Sequence, residues 1–174
     1  MPVRSPGIDI ALFRSIYEEL LPEAIASGRF DNIPNENIEA LDNLIEMGKE
    51  LVVLTSRTHS ELAHILAADH ILADRISTFY YRDNMKFHKP DPRAFAHIEA
   101  EHGWKPEECV YVGDSLGDAK ASKGAGIHFI ASLESGLRTL DDFESQSDYP
   151  VDGYIQIFPE VVQAVQDLDE RLAA

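Results

Sequence analysis

The hydrophobic positions of this chain follow two patterns in turn: the spacing typical of one helix face, and short continuous runs typical of buried strands. The run Leu51 to Leu54 is continuously apolar, which predicts a strand buried on both faces. Thr58 followed by Glu61 is a capping-box pattern that predicts a helix over about residues 59–68. Further strands are predicted at about residues 77–81, 109–112, 127–130 and 154–157, and helices at about residues 92–103, 116–123 and 159–172. This alternation predicts parallel βαβ units and an α/β fold.

Two helices are predicted before the first strand. One runs from about Ile10 to Leu21 and is interrupted near Pro22, after which loop residues are expected as far as Asn35. The second has its apolar stripe at Ile38, Leu41 and Ile45 and ends at Gly48.

The middle and the end of the chain contain two further local signals. In the segment Lys89-Pro90-Asp91-Pro92, the aspartate can cap a helix that begins at Pro92, turns Phe95 and Ile98 to the core and ends at Gly103. Residues 132–152 are acidic and contain serines, which predicts a mobile connection with one helical turn near residues 137–143.

Composition and charge narrow the classes of function. A length of 174 residues suits one domain with a sizeable core. The net charge of −16 argues against nucleic acid or an anionic membrane surface as partner. The lone Cys109 cannot form an internal disulfide, and neither a signal peptide nor a membrane-spanning run is evident, so a cytoplasmic location is expected. The histidines are scattered without helical pairing, and no zinc site is indicated.

Two carboxylates after a buried strand give the strongest chemical signal. Asp114 follows the apolar run Val110 to Val112 directly, and Asp118 lies four residues further on, beside small residues that begin a helix. Ligands bind at the carboxyl ends of strands in open α/β sheets, and Mg²⁺ uses one or two carboxylates together with water and a substrate phosphate. The pair therefore predicts a magnesium site. The alternative is that Asp114 or Ser115 only caps the following helix.

Two other segments could contribute to an anion site. Thr55 and Ser56 end the first strand just before a helix, where hydroxyls and backbone amides favour a phosphate oxygen. Lys89 is held between rigid residues and could supply a fixed positive charge to phosphoryl chemistry. Each has a structural alternative: the hydroxyls could serve as ordinary helix caps, and the lysine could face solvent.

These three segments, in this order and spacing, resemble the second, third and fourth motifs of the haloacid dehalogenase-like (HAD) hydrolase superfamily, and within it the phosphoglycolate phosphatase-like members. The resemblance extends from about Phe13 to the end of the chain. It implies a Rossmann-like, doubly wound parallel sheet. It also implies that Thr55, with Ser56, binds phosphate, that Lys89 steadies the nucleophile and the phosphate, and that Asp114 with Asp118 holds Mg²⁺. Asp118 could instead act through water or by orienting Lys89.

The chain departs from this pattern at the first motif. The family's Asp-x-Asp-x-Thr, which provides the nucleophile and a general acid and base, has no counterpart in the sequence. Asp9 lacks both a preceding apolar strand and a second aspartate two residues later, and Arg14, the other alignment, cannot attack phosphorus. Residues 11–29 look like the last helix of the family's cap. We therefore expect residues 1–33 to be a cap remnant and linker, and residues 34–174 to be an N-terminally incomplete core.

The family's missing strand is central in its sheet, so its loss is expected to leave open strand edges, which would favour association. The resemblance implies a Mg²⁺-dependent phosphatase for a small phosphorylated metabolite that acts through an aspartyl-phosphate, with little activity in this chain alone. The alternative is a non-catalytic phosphate-binding, metal-binding or regulatory protein. A haloacid dehalogenase is less favoured, because that chemistry needs no Mg²⁺ and its members typically lack the Gly113 to Asp118 arrangement. The cap residues that would select the substrate are mostly absent.

Overall fold

The structure is a computed structural model that describes residues 9–28, 31–145 and 148–174. The chain divides into two compact units, residues 1–34 and residues 35–174. The helices are α1 Ile10–Ala26, α2 Asn35–Glu46, α3 His59–Leu62, α4 Arg93–His102, α5 Leu116–Ala125, α6 Leu140–Glu144 and α7 Val161–Ala173. The strands are β1 Val52–Leu54, β2 Thr78–Tyr80, β3 Val110–Gly113, β4 His128–Ser132 and β5 Gly153–Ile155. None of the helices in the described ranges is long and apolar enough to cross a membrane.

The first unit contains α1. The Asp9 carboxylate caps it by accepting hydrogen bonds from the backbone amides of Ala11 and Leu12. The predicted interruption near Pro22 is wrong, because the helix continues to Ala26. A proline removes one backbone hydrogen bond, and good helix formers follow it here, so the turn after it still forms. Several large apolar side chains of α1 are exposed, with Phe13 at 62%.

The second unit holds the strands, and all of their pairings are parallel, as predicted. Strand β1 pairs with β2, with Val53 opposite Phe79. Strand β4 lies between β3 and β5, with Tyr111 opposite Phe129 and Ala131 opposite Tyr154. Across the described residues the strands form two separate sheets, of two and three strands, so β1 and β3 are both edge strands.

Apolar side chains cover both faces of the strands. Along β3, Tyr111 packs on one face with Phe95 and Phe129, whereas its neighbours Val110 and Val112 pack on the other. Each face also receives a residue from β1 or directly before it, because Leu54 shares a cluster with Tyr111 and Leu51 shares one with Val112. Helices α4 and α5 cover one face, and α2 and α7 cover the other. This is the layered α/β architecture predicted from the sequence.

Two helical predictions need correction. Helix α3 begins with the predicted Thr58–Glu61 capping box but ends at Leu62 instead of near residue 68. The Arg57 guanidinium donates a hydrogen bond to the Glu61 carbonyl at 2.5 Å, and the Ile65 amide, which a longer helix would pair with that carbonyl, turns to Leu62 instead.

In α2 the buried stripe is rotated from the predicted one. Ile38 is buried as predicted, together with Ala40 and Leu44, whereas Leu41 is half-buried and Ile45 is 39% exposed. The helix packs against α7, and that contact selects the buried face.

The remaining helices match their predictions closely. Helix α4 begins at Arg93 with Pro92 as its N-cap, one residue later than predicted, and the Asp91 carboxylate accepts a hydrogen bond from the Arg93 amide. The helix ends at Gly103 with a positive φ of 69°. The helical turn predicted near residues 137–143 is α6, Leu140–Glu144. Of the connection predicted over residues 132–152, positions 146 and 147 lie outside the described residues.

Candidate functional site

The turn from β3 into α5 fixes Asp118 firmly. Ser115 is the N-cap of α5, and its hydroxyl accepts a hydrogen bond from the Asp118 amide. In return, Asp118 Oδ2 accepts hydrogen bonds from the Ser115 amide at 3.0 Å and from the Ser115 hydroxyl at 2.8 Å. Position 113 must be glycine for this approach, because a Cβ there would lie 2.8 Å from the Asp118 carboxyl group. The capping role considered from the sequence is therefore real for Ser115, and Asp118 completes it.

Lys89 joins this turn to the first sheet. Its ammonium forms an ion pair with Asp118 Oδ1 at 2.7 Å, and both side chains are largely buried. The same ammonium donates hydrogen bonds to the Tyr111 hydroxyl at 2.5 Å and to the Leu54 carbonyl at 3.4 Å. The alternative that Lys89 faces solvent is therefore wrong, because Lys89 contacts the carboxyl end of β1, strand β3 and helix α5.

Burial and charge act in opposite directions on the titration of this cluster. Burial opposes the charged form of Lys89, but its interactions with Tyr111 and then Asp118 outweigh it and raise the lysine pKa. Burial is also the largest influence on Tyr111, and it raises the pKa of that phenol to about 12. At neutral pH Lys89 is therefore an ammonium ion and Tyr111 a neutral phenol.

Thr55 and Ser56 lie where β1 ends, directly after the carbonyl that Lys89 contacts. The Thr55 hydroxyl accepts a hydrogen bond from the Arg57 amide at 3.2 Å, and Ser56 is exposed. Because α3 has only four residues, its dipole adds little here. The capacity of this segment to bind an anion therefore rests on its hydroxyls and on the nearby ammonium.

Asp114 differs from Asp118 in its surroundings. Its carboxylate is half-buried, and within the described ranges no residue donates a hydrogen bond to it or pairs with it. A half-buried carboxylate without a donor, directly after β3, is the kind of hard oxygen ligand that Mg²⁺ prefers. In the same ranges no group of three or more histidine, cysteine or acidic side chains is arranged to hold a metal.

The predicted site residues thus occupy one edge of the strands, although their contacts differ. Lys89 touches Asp118 directly and contacts the residue that precedes Thr55. Within the described ranges, neither Asp114 nor Ser56 forms an ion pair or a hydrogen bond with Lys89. Sequence reasoning missed Tyr111, which it treated as an ordinary strand residue. The available signal was a hydroxyl in a fully apolar run, since a buried tyrosine hydroxyl normally has a hydrogen-bond partner.

Comparison with known proteins matches this chain to one family. The family model of haloacid dehalogenase-like hydrolases matches residues 17–132. Phosphoglycolate phosphatase of Haemophilus influenzae is 25% identical over 122 residues, which is 68% of this chain and 53% of that protein. Phosphoglycolate phosphatase of Nitrosospira multiformis is 31% identical over 90 residues, which is 52% of this chain and 39% of that protein. The chain therefore spans about half the length of the first relative and less than half the length of the second.

Solved structures show the same fold. A HAD hydrolase of family IA from Entamoeba histolytica superposes with a TM-score of 0.71 at 14% identity, covering 93% of this chain and 73% of that one. A HAD phosphatase from Thermococcus onnurineus gives a TM-score of 0.62 at 21% identity, covering 88% of this chain and 64% of that one. At these identities the likeness concerns the fold, which is the Rossmann-like α/β fold predicted from the sequence.

Proposed function

The chain belongs to the haloacid dehalogenase-like hydrolase family, and from that premise we propose that it is built for Mg²⁺-dependent hydrolysis of small phosphate monoesters. The observation that carries the proposal is the largely buried Lys89–Asp118 ion pair at the end of β1. A buried ammonium held this firmly beside strand-end hydroxyls suits a phosphate group better than a neutral ligand. Phosphoglycolate is the first substrate to assay, because relatives with similar sequences bear its name.

Each residue then has a definite task in the proposed reaction. Thr55 and Ser56 offer hydroxyls to the phosphate oxygens, and Lys89 offsets the charge between phosphate and carboxylate. Asp114 would hold Mg²⁺, which supplies charge neutralisation on the phosphate when bound. Both oxygens of Asp118 are already engaged, by Lys89 and by Ser115, so its task is to orient the lysine.

The covalent half of the family reaction has no residue in the printed sequence. That reaction uses an aspartate from an Asp-x-Asp-x-Thr segment as nucleophile and a second one as general acid and base, and the sequence contains no such segment. We therefore expect a polypeptide of this sequence to bind phosphate and Mg²⁺ but to turn over substrate weakly.

The missing nucleophile also supports a second candidate function. A protein that keeps the phosphate and metal pocket without the nucleophile would serve in sensing or in regulation through a partner. The open edges of β1 and β3 would favour association in either case. For both candidate functions, we propose a cytoplasmic location and a small phosphorylated metabolite as the ligand.

The proposal is tested by comparing binding with turnover in the purified 174-residue chain. We expect inorganic phosphate to bind in a Mg²⁺-dependent way, with binding lost in Lys89→Ala and its Mg²⁺ dependence lost in Asp114→Asn. Asp148→Asn, on the loop before β5, is the matched acidic control. Hydrolysis of phosphoglycolate or p-nitrophenyl phosphate should stay weak. Efficient Mg²⁺-dependent turnover that Asp114→Asn abolishes would show that the chain is a complete enzyme, whereas no phosphate binding at all would refute both candidates.

A further inference from the structure

Tyr111 lies at the centre of the cluster around Lys89, and neither motif matching nor the proposed function gives it a role. We propose that Tyr111 is a positioning residue: its hydroxyl occupies the Leu54 carbonyl and fixes the Lys89 ammonium, so that one N–H of the lysine stays available for a phosphate oxygen. This inference rests on the proposed function, because it concerns the same pocket.

The direction of each hydrogen bond follows from the atoms involved. A carbonyl oxygen only accepts, so the Tyr111 hydroxyl donates its single proton to Leu54, at 3.0 Å. An ammonium only donates, so Lys89 donates to the oxygen of that same hydroxyl, at 2.5 Å. The phenol therefore acts as donor on one side and as acceptor on the other, and no other arrangement of its proton satisfies both neighbours.

The three N–H groups of Lys89 are not held equally. One pairs with Asp118 at 2.7 Å and one with Tyr111 at 2.5 Å. The third reaches the Leu54 carbonyl only at 3.4 Å, and that carbonyl already accepts the shorter bond from Tyr111. The third N–H is thus the one that an arriving phosphate oxygen can take at least cost, because its loss leaves no acceptor unpaired.

Removal of the hydroxyl would reverse this order. Without Tyr111 as donor, the buried Leu54 carbonyl would have Lys89 as its remaining donor, and the ammonium would move toward it. The N–H that Tyr111 held would then be the one without an acceptor, and it would face the phenyl ring, so the ammonium would no longer present its available N–H from the position that it has in the unmodified chain.

The aromatic ring has a separate task that does not require the hydroxyl. It packs edge-on against Phe95, with centroids 5.2 Å apart, and stacks near Phe129. Tyr111→Phe keeps these contacts and removes only the hydrogen bonds, so it separates positioning from packing. Tyr154→Phe is the matched control, because Tyr154 lies on β5 of the same sheet and is 50% exposed.

The test measures two properties of Tyr111→Phe, Tyr154→Phe and the unmodified chain. The first is the affinity for inorganic phosphate with Mg²⁺ present, by calorimetry or by ³¹P NMR. The second is the Lys89 ammonium signal in protein labelled with ¹⁵N-lysine, assigned with Lys89→Arg. We expect Tyr111→Phe to weaken phosphate binding about tenfold or more and to shift the Lys89 signal, because hydrogen bonds to charged groups are the strong ones. Tyr154→Phe should change neither.

The two readouts keep this inference distinct from the proposed function. If the unmodified chain binds phosphate and Tyr111→Phe binds it equally well, the inference is wrong and the proposed function stands. If the unmodified chain binds no phosphate, the proposed function fails, and the inference fails with it as a statement about phosphate. In that event the Lys89 signal still decides whether Tyr111 fixes the ammonium, and an unshifted signal in Tyr111→Phe would exclude that as well.

Discussion

Replacement of Asp118 by asparagine tests the central ion pair most directly. Asp118 is 5% exposed, and its carboxylate uses both oxygens, one toward Lys89 and one toward the Ser115 amide and hydroxyl. An asparagine has one acceptor oxygen and one NH₂ donor. If its oxygen keeps the helix cap, its NH₂ faces the lysine ammonium; if its oxygen keeps the lysine, its NH₂ faces the Ser115 amide. One of the two contacts is therefore lost in either rotamer.

The size of the loss follows from which contact breaks. Removal of one partner of a buried ion pair typically costs about 3–5 kcal/mol of folding free energy. We expect about 3 kcal/mol here, at the low end of that range, because Lys89 keeps Tyr111 and the Leu54 carbonyl as acceptors. Equilibrium unfolding in urea measures this change directly.

A second capping box in the same chain supplies the control. Asp142 accepts hydrogen bonds from the Thr139 amide and hydroxyl at the start of α6, as Asp118 does from Ser115, and no lysine pairs with it among the described residues. Asp142→Asn should therefore cost clearly less than Asp118→Asn. The double variant Lys89→Met with Asp118→Asn should recover part of the loss, because no unpaired buried cation remains. Equal costs at Asp118 and Asp142 would refute the assignment of stability to the ion pair.

Two further predictions concern stability. Burial alone would raise the pKa of Asp152, but Lys123 and the Phe129 amide, each at 2.7 Å, lower that pKa overall. The contribution of Asp152 to folding stability is therefore present above the unfolded pKa of about 3.9, and it is lost as the pH falls through the lowered folded pKa. Thermal unfolding of Asp152→Asn should accordingly show a weaker decline in acid than the unmodified chain, and an unchanged decline would contradict this. Gly113→Ala should destabilise the chain and shift the Lys89 signal, because its Cβ would lie 2.8 Å from Asp118, whereas Gly117→Ala, whose nearest neighbour is 3.5 Å away, should be neutral or slightly stabilising. Equal unfolding midpoints for these two alanine variants would show that the turn tolerates a side chain at position 113.

Much of the framework could be predicted because it depends on local patterns. The strand near Leu51 to Leu54 and the cap at Thr58 are predicted from short stretches of sequence, and the structure contains both, although the strand is Val52–Leu54 and only Leu54 in it is buried. Parallel strands also end at a common edge, so residues after strand ends, such as Asp114, could be assigned to one region without knowledge of the contacts.

The remaining features depend on contacts between distant or competing groups. Tyr111 and Leu54 are 57 residues apart, and no periodicity reveals that the hydroxyl of one pairs with the carbonyl of the other. The early end of α3 depends on Arg57, whose guanidinium donates a hydrogen bond to the Glu61 carbonyl. In a longer helix, that carbonyl would accept a hydrogen bond from the Ile65 amide. The buried face of α2 is selected by α7, more than 100 residues later in the chain.

The separation between β1 and β3 has a mechanical consequence. A ladder of backbone hydrogen bonds fixes how far one strand can slide along another, whereas apolar contact has no direction. Across this boundary two side chains, Tyr111 and Lys89, donate hydrogen bonds to the Leu54 carbonyl. These two side chains therefore tie the end of β1 to the cluster that would meet a phosphate by directional bonds, and a sliding movement of one sheet along the other would strain the contacts of the lysine.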